Sequence, residues 1–261
     1  MTDSLKISEY DGILEVMVDR PKANAIDNAT SRAMGETFAR FRDDPDLRVA
    51  IVTGGGEKFF SAGWDLKEAA AGNAEYEDDY GVGGFGGLQE LPGLNKPVIG
   101  AINGMAVGGG FEIALCCDIL IAADHARFAL PEINVGVLAD GASIKLPKRI
   151  PYHIAMDMLL TGRWMETDEA KHWGLINEAV PAEGLLPRAR EIARLLADGP
   201  PLVFACIKEV ARETATLKTQ ESFDLLKSHK LPAYVAMLES EDAKEGPRAF
   251  AEKRKPNWKG R

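Results

Sequence analysis

Val98-Ile-Gly-Ala-Ile102, followed by Asn103-Gly104-Met-Ala-Val-Gly108-Gly109-Gly110-Phe111-Glu112, reads as a buried strand, a tight turn and the opening of a helix. The first five residues are apolar and rich in β-branched side chains, which suits a strand covered on both faces. The glycines allow sharp turns and close backbone approach. Unsatisfied N–H groups at a helix start favour negative charge. Packing alone explains a glycine turn. Glu112 sits between Phe111 and Ile113 in the first helical turn, as a partner of the helix dipole or as a functional acid.

Residues 13–18 (ILEVMV) alternate and read as a strand, and 49–53 and 119–122 read as buried strands. Residues 30–41 place Ala33, Met34, Phe38 and Phe41 on one helical face. Further helical patterns cover 110–117 and 152–160. Strands alternating with helices predict an α/β fold with parallel pairing. After residue 150 the strand signal nearly vanishes. Residues 165–173 read as a helix with Thr167 as N-cap and Gly174 as its stop, and 185–196 and 202–211 read as two more. The expected organisation is a core over 1–195 and a helical region over 196–261.

Composition narrows the function. The chain has 261 residues, 46% hydrophobic and 27% charged, which is globular and excludes a disordered chain. Its 31 basic and 40 acidic residues give a net charge of −9, a poor match to nucleic acid. With acidic residues through the first twenty positions no signal peptide is expected, no apolar run suits a membrane span, and a cytoplasmic protein is expected. Cys116, Cys117 and Cys206 read as free thiols. His125, His153, His172 and His229 lack ligand spacing, so no metal is expected.

Other glycine patterns carry less. Gly81-Val-Gly83-Gly-Phe-Gly86 matches a dinucleotide-binding pattern in letters, but an acidic, strand-poor run precedes it. Residues 69–87 read as a mobile surface loop or a lid. Gly54-Gly-Gly-Glu-Lys58 lacks phosphate-loop spacing. Phe59-Phe60-Ser61-Ala62-Gly63-Trp64-Asp65-Leu66-Lys67 reads as a structured loop, with Asp65 available to cap a helix. In Phe128-Ala-Leu-Pro131-Glu132-Ile-Asn-Val-Gly136, Glu132 lies among apolar residues. Burial raises a carboxyl pKa and prepares it for proton transfer near neutrality, whereas a salt bridge or exposure would leave it structural.

Together these segments resemble the enoyl-CoA hydratase/isomerase (crotonase) superfamily. The matching pieces are Arg20-Pro-Lys-Ala-Asn-Ala25, Phe60 to Lys67, Lys96-Pro-Val-Ile99, Asn103 to Glu112, Cys117-Asp118 with Phe128 to Gly136, and Thr161-Gly-Arg163. Their order is the family's, and they cover essentially the whole chain. The resemblance implies a crotonase spiral of ββα turns with a helical C-terminal trimerisation region. It implies an acyl-CoA thioester substrate, no separate cofactor, and a homotrimer or a dimer of trimers. By motif position, the backbone N–H groups of Trp64 and Gly109 form an oxyanion hole, and Glu112 and Glu132 handle water and proton. CoA or substrate contacts map to Lys22, Ala23, Ala62, Asp65, Leu66, Lys67, Asp140, Phe250 and Lys253, the last two touching CoA from a neighbouring subunit in some relatives.

Trp64 and the tail from Ser240 to Arg261 sharpen the likeness toward members that hydrate a short branched or cationic enoyl-CoA. Tyr76, Tyr80 and Phe85, with Glu75, Glu77, Asp78 and Asp79, suit a lid over a cation. One departure stands out: where relatives carry Pro and paired glycines, this chain has Leu138-Ala-Asp-Gly-Ala-Ser143. The expected activity is hydro-lyase. A general short-chain hydratase or an isomerase of the same fold is the alternative, and a non-catalytic CoA-binding protein or a nicotinamide oxidoreductase would be the other classes.

Overall fold

In chain order the strands are β1 (Leu5–Tyr10), β2 (Ile13–Val18), β3 (Val49–Gly54), β4 (Phe59–Ser61), β5 (Val98–Ile102), β6 (Met105–Val107), β7 (Ile119–Ala123), β8 (Arg127–Ala129), β9 (Trp164–Glu166) and β10 (Glu178–Val180). From β3 to β8 the strands alternate between long and short. All of them make two sheets in the computed structural model, which describes residues 4–72 and 78–261. The larger sheet runs β1-β2-β3-β5-β7-β10, antiparallel only between β1 and β2, and the smaller runs β4-β6-β8-β9.

The helices are α1 (Asn28–Asp43), α2 (Leu66–Ala70), α3 (Gly109–Ala114), α4 (Asp140–Lys145), α5 (Tyr152–Thr161), α6 (Thr167–His172), α7 (Leu185–Ala197), α8 (Pro201–Glu213), α9 (Thr219–Lys227), α10 (Pro232–Glu239) and α11 (Asp242–Ala251). Each middle turn of the chain repeats one unit: β3-β4-α2, β5-β6-α3, β7-β8-α4. The long strand joins the larger sheet, the short strand joins the smaller, and a helix follows. This is the expected α/β spiral of ββα turns.

The core explains the pattern. The strands β3 and β5 are buried along their whole length, as their continuous apolar runs require. Met34, Phe38 and Phe41 of α1 are fully buried in the same core. The contiguous core ends at Ala197. Beyond it α8 and α10 pack on each other, with Glu209 accepting from the N–H groups of Ala233 (2.9 Å) and Tyr234 (3.2 Å). Lys208 ties α8 back to Asp118 at 2.7 Å.

Three readings of local structure need correction. Strands do occur after residue 150, but β9 and β10 are three residues each, too short to show a period. Thr167 is the first residue of α6 rather than its N-cap, which is Glu166. The buried Thr167 hydroxyl donates to the carbonyls of Ala126 (2.5 Å) or Ala123 (3.2 Å), fastening α6 to the end of β7. Residues 81–87 are not a solvated loop. Gly86 donates to Ser31 Oγ at 2.7 Å, and Ser31 Oγ lies 3.2 Å from the Gly84 carbonyl, so the segment is bound to α1. Residues 73–77, and with them Glu75, Tyr76 and Glu77 of the expected lid, lie outside the described residues.

A carboxylate also sits inside the larger sheet. Glu15 of β2 is buried and accepts from Arg190 of α7 at 2.7 and 2.8 Å and from Tyr10 Oη at 2.9 Å. The Arg190 guanidinium holds the Glu15 carboxyl below its ordinary range. Arg190→Ala should cost about 1–3 kcal/mol at pH 7 in urea unfolding, because Glu15 loses its charged donor. A lowered folded pKa stabilises above the unfolded pKa and is lost as pH falls through the folded value. The deficit of the variant should therefore shrink on acidification, and an undiminished deficit at acid pH would refute the ion-pair account.

Candidate active site

The site is assembled where two loops meet the start of α3. The segment 20–26 runs beside 61–65: Ala62 N–H donates to Ala23 O (2.9 Å), Ile26 N–H to Gly63 O (2.7 Å) and Asp65 N–H to Ile26 O (3.0 Å). Gly63 has φ +78°, and a Cβ there would fall 2.6 Å from the Gly109 nitrogen. Only glycine lets the 61–64 backbone lie this close to the helix start. Gly109 is the first residue of α3, so its N–H has no acceptor within the helix.

Glu112 lies one turn further on and is 5% exposed. Its Oε1 accepts from the Ala142 N–H of α4 at 2.9 Å, and its Oε2 accepts from Gln89 Nε2 at 3.0 Å. Burial pushes its pKa up and the nearby Asp140 adds to this, while the Ala142 and Gln89 hydrogen bonds and Lys145 oppose it. Glu132 stands in the single turn Pro131–Asn134 that follows β8. Its buried Oε2 has no hydrogen-bond partner among the described residues. Burial first, then the charges of Glu112 and Asp140, push its pKa up to about 7. Gly108, at φ +54°, makes room for this side chain: a Cβ there would lie 2.7 Å from Glu132 Oε1.

These groups face one cavity. An inner pocket of about 60 Å3 is lined by Trp64, Tyr80, Phe85, Gly109, Glu112, Glu132, Val137, Leu138 and Asp140. It shares Trp64, Gly109, Glu132 and Val137 with an outer cleft of about 240 Å3, where Ala62, Leu66, Gly108 and Pro131 also contribute. The outer cleft is mainly apolar. The Tyr80 and Phe85 rings meet edge to face, 5.3 Å between centroids. Burial, with Asp78 and Asp140 nearby, raises the Tyr80 phenol to about 12, so it stays neutral.

The sequence-derived candidates therefore divide. Glu112, Glu132, Trp64, Gly109 and Asp140 share the inner pocket, and Ala62 and Leu66 line the outer cleft. Lys22 is exposed on the 20–26 loop and Lys67 at the start of α2, and Ala23 packs beside Ala62. Asp65 caps α2 through the Lys67 N–H at 3.1 Å and pairs with Arg20 at 2.6 Å, so its carboxylate is engaged within the chain. Phe250 and Lys253 are exposed on and just after α11 and line neither cavity. The Asp140 side chain bonds its neighbour Gly141 N–H (2.7 Å), and the amide that reaches Glu112 belongs to Ala142. Gln89 carried no sequence signal: a single amide after a glycine-rich stretch belongs to no motif.

A donor N–H at a helix start beside two carboxyls with raised pKa, in a pocket with an apolar approach, suits stabilisation of an enolate oxygen while a proton moves at carbon. The fold and this site define an enzyme class that works on acyl thioesters through such an enolate. The chain belongs to the enoyl-CoA hydratase/isomerase family, whose match spans residues 8–261.

Named relatives agree. The chain is 56% identical over 261 residues to a carnitinyl-CoA dehydratase of Salmonella arizonae, and 55% identical over 262 residues to one of Proteus mirabilis, covering 100% of each pair. Among solved structures, an enoyl-CoA hydratase of Mycobacterium tuberculosis superposes with a TM-score of 0.89 at 35% identity. A carnitinyl-CoA hydratase of Mycobacterium avium superposes with a TM-score of 0.77 at 34% identity. Both cover 100% of the two chains. Among the described residues no helix is long and apolar enough to cross a membrane.

Proposed function

We propose that this chain reversibly adds water to a short enoyl-CoA, with crotonobetainyl-CoA and carnitinyl-CoA as the enoyl and hydroxyacyl partners. The observation that carries the reading is the placement of Glu112 and Glu132 on the same pocket as Gly109 and Trp64. The thioester carbonyl accepts hydrogen bonds from the N–H groups of Gly109 and Trp64, so the enolate forms against fixed dipoles. Glu112, with both oxygens already accepting, is the better anion and takes the proton of the attacking water. Glu132, with an unpartnered oxygen, holds a proton and delivers it to the α-carbon. Hydroxide joins the β-carbon, the enolate collapses to the thioester, and a solvent proton exchange resets the pair. Dehydration runs the same steps backward.

The acyl end explains the choice of substrate. A trimethylammonium cannot shed its charge, so it needs π-faces or a carboxylate. Trp64, Tyr80, Phe85 and Asp140 line the inner pocket and offer both. An aromatic face contributes about 0.5–2 kcal/mol to such a cation. Wild-type kcat/KM should therefore favour crotonobetainyl-CoA over crotonyl-CoA. Trp64→Leu should reduce that preference by about 2- to 30-fold. A wild type that prefers crotonyl-CoA would overturn the cationic substrate and leave hydration standing.

The pair must hold one proton between its members, so pH reports on it. Raising the pH through the Glu132 value of about 7 removes the proton needed at the α-carbon. In the hydration direction kcat/KM should fall about tenfold per unit above that point. A profile flat to pH 9 would contradict the assignment. For the outer part of the substrate, the exposed Lys22 and Lys67 would meet CoA phosphates. The exposed Ile207, Phe223 and Phe250 support assembly as a homotrimer in which Phe250 and Lys253 reach a neighbour's CoA. Sedimentation as a 28.3 kDa monomer would exclude that arrangement.

A further inference from the structure

We propose that Gln89 is a positioning residue for the hydration reaction: its side-chain amide, locked between α3 and α4, holds Glu112 as the ionised member of the pair. This rests on the function proposed above. Gln89 Nε2 donates to Glu112 Oε2 at 3.0 Å, opposite the Ala142 N–H that donates to Oε1 at 2.9 Å. Two donors on two oxygens fix the carboxylate plane and favour its charged form.

Gln89 is itself held. Lys145 Nζ, at the end of α4, donates to the Gln89 carbonyl at 3.1 Å. Gly141 lies against the side chain, and a Cβ added there would fall 2.8 Å from Gln89 Oε1. Helix α4 therefore acts three times on Glu112: the Ala142 amide directly, Lys145 through the Gln89 backbone, and Gly141 by leaving space for the Gln89 amide. The stretch that departs from the family pattern, 138–143, is the one that supplies Gly141 and Ala142. Its sequence makes sense as the start of a helix that braces Glu112 with a side-chain amide.

The contrast with Glu132 gives the device its purpose. Two carboxyls of equal environment would share their proton indifferently. Here one carboxyl has a donor on each oxygen and the other has a buried oxygen with none. The charged and titratable groups facing Glu112 are Asp140 and Lys145 from α4, Glu132 from the turn after β8, and Cys116 from the turn that follows α3. Asp140 and Glu132 disfavour the Glu112 anion and Lys145 favours it. The Gln89 amide is the neutral donor among these neighbours, so removing it changes no formal charge in the site.

The test uses two variants and a readout that needs no turnover. Gln89→Leu removes the donor at similar volume. Gly141→Ala displaces the flexible end of Gln89, since Gly141 lies inside α4 and the three atoms nearest its added methyl, at 2.8–3.1 Å, all belong to that side chain. Infrared difference titration of the free enzyme follows the carboxylic C=O band of Glu112, assigned by its loss in Glu112→Gln. In both variants the midpoint should rise by about one pH unit. With crotonobetainyl-CoA, kcat at pH 7 should fall about tenfold and KM should change less than twofold. A midpoint unmoved in both variants overturns the proposal whatever the rates do. A shifted midpoint in a protein whose wild type hydrates no enoyl-CoA would retain the Gln89–Glu112 coupling and reject the function instead.

Discussion

Glu132→Gln is expected to lower kcat for hydration by about 10²–10⁴ while leaving CoA-thioester affinity within a few-fold of wild type. The substitution keeps shape and removes the transferable proton. Glu132 is the more telling of the two carboxyls because its buried Oε2 makes no hydrogen bond among the described residues, so its loss breaks no structural contact at that atom. Glu112→Gln should be comparably slow, but it also sets an amide against the Ala142 and Gln89 donors and so disturbs the local frame. Rapid-quench turnover with isothermal binding of a saturated thioester separates the effects. A Glu132→Gln enzyme within threefold of wild-type kcat would remove Glu132 from the chemistry.

Gly109→Pro should be the second large loss. Proline fits the first position of a helix, where its missing N–H breaks no helical bond. Here it deletes the proposed oxyanion donor. A Cβ at 109 also lies 2.4 Å from the Phe85 ring, which must shift. Gly109→Ala carries the same Cβ and keeps the N–H, so it controls for the Phe85 displacement, and the remaining difference combines the lost donor with the ring atoms that proline places on the nitrogen. Gly109→Pro should fall a further 10²–10³ in kcat below Gly109→Ala. Trp64→Phe, which keeps its backbone donor, should lose far less. Equal rates in the proline and alanine variants would place the oxyanion elsewhere.

The long elements were legible because their period and their burial agree. β3 and β5 are continuous apolar runs, and α1 shows its buried stripe at Met34, Phe38 and Phe41. The three-residue strands β9 and β10 carry no period, and they pair only because the β7 and β8 edges await them. Gly81–Gly87 misled because glycine content signals flexibility unless a neighbour fills the space, and Ser31 of α1 does so here. Glu112 and Glu132 stood out as acids in apolar stretches, which is what burial at a pocket demands. Gln89 did not, since the partner that gives it meaning is 23 residues away. The Asp65 carboxylate was readable as a helix cap, and the structure adds Arg20 as its charged partner.

The most direct measurement of the central claim is hydration of crotonobetainyl-CoA by the purified chain in D2O containing H2 18O, read by mass spectrometry and NMR of the acyl product. Water addition through one acid and one base predicts carnitinyl-CoA with solvent oxygen on the β-carbon and one deuterium on the α-carbon, absent in Glu132→Gln. Double-bond migration without oxygen uptake, or recovery of unchanged substrate, would contradict it.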